Sequence, residues 1–159
     1  MPNEQQLDFM RRAIALATDN VLSSRGGPFG SVIVRDGQII AEAANSVTAT
    51  NDPTAHAEVN AIRLACGKLG SFSLEGCEIY TSCEPCPMCL AAIYWARIGA
   101  IYYGNTAAEA ARAGFDDAHL YRELTLPRGE RSVPSTQLLG DAAWASFQAW
   151  QNSTTKIEY

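Results

Sequence analysis

Apolar positions along the chain switch between a helical and a strand-like period. Leu7, Met10, Ile14, Leu16 and Val21 recur at near-helical spacing within "NEQQLDFMRRAIALATDNVL". That pattern predicts an amphipathic helix with Asn3 as its cap. "RGGPFG" breaks it. "SVIVRDGQIIAEAAN" holds two apolar runs around Asp36-Gly37, the pattern of a β-hairpin. In "NDPTAHAEVNAIRLACGKLG" the spacing predicts a helix over about 55–68, capped by Thr54 and closed by Gly67 or Gly70. "CEIYTS" and "AIYYG" read as short strands. Between them, "PCPMCLAAIYWARIG" opens with proline and ends at Gly99, which predicts another helix. Past Gly104, "TAAEAARAG" and "DAAWASFQAW" read as helices and "LPRGERSVPS" as a loop. Strands alternating with helices predict an α/β layered domain. The hairpin requires an antiparallel pair and the helical crossovers require parallel neighbours, so the sheet is expected to be mixed.

Composition narrows the class. A chain of 159 residues suits one domain, able to bury roughly 70% of its unfolded surface. The net charge is −5. Nucleic-acid binders carry a basic footprint, and none is visible here. A small, weakly charged ligand fits better. No apolar run reaches the ~18 residues of a membrane span. The N-terminus lacks the pattern of a signal peptide, so a cytoplasmic, reduced protein is expected. Five cysteines in such a chain point to metal or catalysis before disulfides.

Three of those cysteines lie in "YTSCEPCPMC", at 83, 86 and 89. A ferredoxin-type cluster would continue with a cysteine where Ile93 stands. A four-cysteine zinc ribbon lacks its second pair, because Cys66 and Cys77 are not so spaced and read as small core residues. Cys86 and Cys89 fall on one face of a first helical turn, whereas Cys83 precedes Pro85 in extended chain. Catalytic zinc takes three protein ligands and keeps one position open. His56, Cys86 and Cys89 supply three, and Glu58 becomes a nearby carboxylate that can move protons. His56-Ala57-Glu58 with Pro85-Cys86-Pro87-Met88-Cys89 is the H-x-E and P-C-x-x-C pattern of zinc deaminases acting on nucleobases. The rival reading is a structural zinc site.

The chain resembles the cytidine deaminase superfamily and, within it, the bacterial guanine deaminases. The resemblance rests on "GGPFGSVIV", "NDPTAHAEVNAIR", "YTSCEPCPMCLAAIYWAR", "GFDDA" and the terminal "KIEY". It implies a three-layer α/β/α fold with a five-stranded mixed sheet, a single domain over 1–159 and one zinc per subunit. It also implies a homodimer that exchanges its C-terminal segments, from about 115 to 159. The implied reaction is hydrolytic deamination of a purine base, guanine to xanthine and ammonia, with Glu58 moving the protons. In the implied site Asn45 bonds the lactam edge of the base and Phe29 and Trp95 flank its ring. Ala57 offers its backbone N–H, Asp117 is a second carboxylate near the leaving amino group, and Tyr159 caps the pocket. His119 reads as a surface residue. Guanosine deaminase, tRNA adenosine deaminase and a non-enzymatic zinc-binding protein are the alternatives.

Overall fold

Asn3 caps the first helix, α1 (Glu4–Leu22). Its side chain accepts the Gln6 N–H at 2.8 Å, and its own N–H donates to Gln6 Oε1 at 3.0 Å. The computed structural model describes residues 2–115 and 117–159. The apolar stripe expected of α1 holds in part: Met10 and Leu16 pack against the core. Leu7, Ile14 and Val21 are exposed, and the buried positions are Ala13, Ala17 and Asn20. The cause is close packing. A Cβ on Gly30 would stand 2.3 Å from the Ala13 carbonyl oxygen and 2.7 Å from Ala17 N. The helix backbone therefore lies almost on the sheet, and only small side chains fit between.

The hairpin forms as read. Strands β1 (Gly30–Arg35) and β2 (Gln38–Ala44) pair antiparallel. Asp36 (φ 51°) and Gly37 (φ 71°) are both left-handed, as a two-residue type I′ turn requires. After the short α2 (Val47–Thr50) comes α3 (Ala57–Leu69), ended by left-handed Gly70. Thr54 does not cap α3. Asp52 takes the Thr54 N–H at 2.8 Å and the Thr54 hydroxyl at 2.7 Å, so the side chain closes a turn and the helix starts later, at a His56 cap. The chain continues through β3 (Cys77–Cys83), α4 (Pro87–Trp95), β4 (Ala100–Asn105) and α5 (Ala107–Arg112).

Sheet order is β2-β1-β3-β4. β3 pairs antiparallel with β1 and parallel with β4, so the sheet is mixed. α4 joins parallel neighbours. α3 joins β2 to β3, which run the same way but have β1 between them. Among the described residues the sheet has four strands, not five, and β4 is an edge. The physical reason is sequence: beyond Asn105 the chain offers short helices and loop, with no further alternating β-branched run. Alternation sorts the side chains into two cores. Val32, Val34 and Tyr80 pack with Ala13 of α1. Ile33, Cys77 and Ile79 pack with Ala61 and Ala65 of α3 and Ile93 of α4. Helices thus cover both faces of the sheet.

The chain divides into two compact units, Met1–His119 and Leu120–Tyr159. The stretch after α5 carries α6 (Ala118–Thr125), a 3₁₀ turn at Arg128–Glu130 and α7 (Gly140–Asn152). Within the second unit, Glu123 accepts from Ser132 N at 2.8 Å and Ser132 Oγ at 2.9 Å, and Trp144 packs on Phe147. No residue from Leu120 to Tyr159 is buried. Among the described residues no helix is long and apolar enough to cross a membrane.

Candidate active site

Two helix starts meet at one point. His56 is the N-cap of α3 and Cys86 the N-cap of α4, both with extended backbone. Each is held there by its neighbours. Cys86 precedes Pro87, which bars the helical conformation at residue 86 and itself suits the first helical position. His56 follows a turn anchored by Asn60, whose Nδ2 donates to Ala44 O and Ser46 Oγ, both at 3.1 Å. Neither side chain makes a capping hydrogen bond. Instead His56 Nδ1 lies 3.6 Å from Cys86 Sγ and 3.5 Å from Cys89 Sγ. The three donor atoms all fall within 4.8 Å of one another.

That geometry fits zinc. A tetrahedral ion about 2.3 Å from each sulfur and about 2.0 Å from nitrogen sets N···S separations of roughly 3.6 Å. Three ligands leave the fourth position open. Cys83 lies close by and is not one of the three. Burial, with the charges of Glu58 and Asp117 behind it, pushes its thiol up to about 11. The Cys86 thiol is pushed down to about 4, first by its bond with Cys89 and next by His56. Cys89 is raised by the same bond seen from the donor's side, and by burial. His56 is raised, chiefly by the bond to Cys86. The positive ends of α3 and α4 favour a thiolate here.

Glu58, in the first turn of α3, is 5% exposed. Burial holds its carboxyl above the ordinary range, and the Cys86 charge adds to this. It lines a cavity of about 280 Å³ together with His56, Cys86, Phe29, Asn45 and Asp117. Of the residues singled out from the sequence, six therefore share one cavity wall, and Cys89 is buried beneath it. Ala57 is buried at the first helical position and does not line the cavity. Trp95 lies at the end of α4, 63% exposed and outside the cavity lining. Tyr159 belongs to the second unit, where its ring meets Trp150 edge-on at 6.4 Å.

Sequence reasoning missed Val47, Thr48, Glu84 and Phe115 of the lining. Phe115 stands T-shaped to Phe29 with centroids 4.8 Å apart. Its signal was present in "GFDDA", one residue from the acids. Val47 and Thr48 ride on the single turn α2, too short for any periodic signal.

A zinc site opening two helices beside a buried, non-ligating carboxylate defines a class. The chain belongs to the cytidine and deoxycytidylate deaminase family, whose zinc-binding region matches residues 3–105. It is 54% identical to the guanine deaminase of Bacillus subtilis (strain 168) over 151 residues, 95% of this chain and 97% of that protein. The X-ray structure of a Bacillus subtilis guanine deaminase matches with a TM-score of 0.95 at 52% identity, over 99% of each chain. The tRNA-specific adenosine deaminase of Agrobacterium fabrum is 51% identical over 77 residues, 48% of this chain and 51% of that one.

Proposed function

We propose that the chain is a zinc-dependent guanine deaminase that converts guanine and water into xanthine and ammonia. The observation that carries this reading is Glu58, buried beside three zinc donors on the wall of a small cavity. A carboxylate that is not a ligand can change protonation while the ligands stay fixed. Zinc, when bound, supplies the Lewis acidity that makes water a nucleophile near neutral pH. Glu58 takes the proton from that water and delivers it to the ring nitrogen beside C2, then assists departure of ammonia.

The base is held by the remaining wall. Asn45 Oδ1 accepts the Val47 N–H at 3.2 Å, which turns its Nδ2 into the donor available to the C6 oxygen of guanine. Phe29 and Phe115, packed edge to face on each other, give the apolar wall against which the ring lies. The Ala57 N–H, at the first position of α3, has no partner within its helix. Asp117 receives the amino group. A cavity of about 280 Å³ sits at the bottom of the usual range of roughly 300–1,000 Å³ for small-molecule sites. It favours a free base over a nucleoside or a tRNA, as does the net charge of −5. All five cysteines are free, which suits the reduced cytoplasm.

The working unit in this reading is a homodimer that exchanges its C-terminal segments. Support comes from the second unit, which exposes Trp144, Phe147, Ile157 and Tyr159 and buries nothing. Covering those rings with a second copy is the simplest remedy. Tyr159 then closes the partner's cavity.

The deciding experiment incubates zinc-loaded protein with guanine, guanosine, adenine, cytosine, cytidine, ammeline and tRNA, and measures ammonia and inosine. Guanine is expected to be the best substrate and tRNA inert. Inosine in tRNA with guanine untouched would transfer the function to adenosine deamination.

A further inference from the structure

Asn20 is a buried α1 side chain, 3% exposed, and does not line the cavity. Its Nδ2 uses both hydrogens. One bonds the Gly27 carbonyl at 2.9 Å and the other the Asn45 carbonyl at 2.8 Å. Those carbonyls belong to two loops far apart in sequence. One loop leads from α1 through Gly27 to Phe29, and the other leaves β2 at Asn45. Gly27, Phe29 and Asn45 all line the cavity. The loops also meet through Asn45 N, which donates to Phe29 O at 3.0 Å. The junction has no slack: a Cβ on Gly26 would stand 2.4 Å from the Asn45 carbonyl oxygen and 2.8 Å from Asn20 Nδ2. An apolar residue at position 20 would take the side-chain donor from the Asn45 carbonyl and leave the Gly27 carbonyl only the Phe29 N–H at 2.9 Å, so in this tight place the Asn45 loop would have to shift to reach water.

We propose that Asn20 is a positioning residue for substrate selection. By tying the two loops together it fixes where the Asn45 amide stands, and so how well the site tells an oxo group from an amino group at C6 of a purine. This rests on the guanine reading above. Asn20 touches neither the zinc donors nor Glu58 by any bond described here, so it governs fit and not the chemical step.

The test compares guanine with 2,6-diaminopurine, which share the C2 amino group and differ at C6. In the zinc-loaded Asn20→Leu enzyme, KM for guanine is expected to rise about tenfold with kcat changed by no more than about twofold. The preference for guanine over 2,6-diaminopurine should fall by roughly tenfold, the weight of one hydrogen bond. In an Asn45→Ala background the same substitution should no longer alter that preference, because its effect runs through Asn45. A merely structural Asn20 would lower the melting temperature and slow both substrates alike. A preference that survives Asn20→Leu, or effects that add in the double variant, would overturn the proposal. Should Asn20→Leu not fold, Asn20→Ser is smaller and keeps one donor; it is expected to lose part of the preference, and an unchanged preference overturns the proposal equally. Failure of the guanine reading looks different: the parent protein would release no ammonia from guanine.

Discussion

His56 and Cys86 occupy the same position in two different helices: each is an N-cap whose side chain leaves its own helix uncapped and turns to the other. Capping side chains ordinarily stabilise a helix by about 1 kcal/mol. Here that role is given up so that two helix starts can share one ion. Loss of either residue should therefore empty the site. His56→Ala and Cys86→Ala are expected to lose zinc and activity together, against about one zinc per chain in the parent by elemental analysis. Cys83→Ala should keep its zinc, since the clustered donors are His56, Cys86 and Cys89. Loss of metal from Cys83→Ala alone would refute the ligand set.

Glu58→Gln should retain zinc and fold, because Glu58 is not a ligand. Turnover of guanine should drop by roughly 10² or more. A zinc-replete variant with full activity would remove Glu58 from proton transfer.

Burial also makes Glu58 a test of pH dependence. Its folded pKa is raised, so the native chain holds this proton to higher pH than the unfolded chain does. Below the ordinary carboxyl range both states are protonated and the group costs nothing. As pH rises through that range the unfolded chain ionises first, and stability is lost until the native group follows. Zinc-stripped Glu58→Gln is therefore expected to melt at a higher temperature than the zinc-stripped parent at pH 7. The two should converge below about pH 4. Equal melting temperatures at pH 7 would show that burial does not strain the carboxylate.

Gly30→Ala tests the close seat of α1 on the sheet. The added carbon would meet Ala13 O at 2.3 Å, a backbone atom that cannot swing aside. A loss of about 1–3 kcal/mol is expected from denaturant unfolding. Unchanged stability would mean that the helix can lift without cost.

Deleting Lys156–Tyr159 should leave zinc in place and cut guanine turnover sharply. After subunit exchange, mixing the deleted protein with Glu58→Gln should restore part of the activity, since one site per heterodimer pairs an intact Glu58 with an intact tail. A mixture that stays inactive after verified exchange would show that each tail serves its own subunit.

The zinc donors and Glu58 were legible because each sits in a short pattern fixed by local rules: proline forcing an extended Cys86, a helix start placing Glu58 two residues after His56. The hairpin was legible for the same reason, as Asp36-Gly37 supplies two left-handed residues in a row. What the sequence hid depends on distance in space. Met10 and Leu16 of α1 do pack on the core, but the fully buried line of Ala13 and Ala17 was hidden because Gly30, in another element, lets the helix backbone come close. Asn20 carries no local signal at all, since its partners are backbone carbonyls of distant loops. The implied fifth strand had no sequence of its own to form it.

His56 precedes β3 and Cys86 follows it, so the ligands become neighbours only after β3 has docked beside β1, bringing Ser31 opposite Thr81. Neither the isolated hairpin nor the unfolded chain holds a complete site. Pairings of that sequence separation form late and slowly. A complete site exists only in the folded sheet, so zinc adds its free energy to the finished structure. Interactions absent from the transition state act on the unfolding rate and leave the folding rate nearly alone. The ion works as a latch on the exit: the lifetime of the folded enzyme against irreversible loss is governed by metal supply, while the time needed to make it is not.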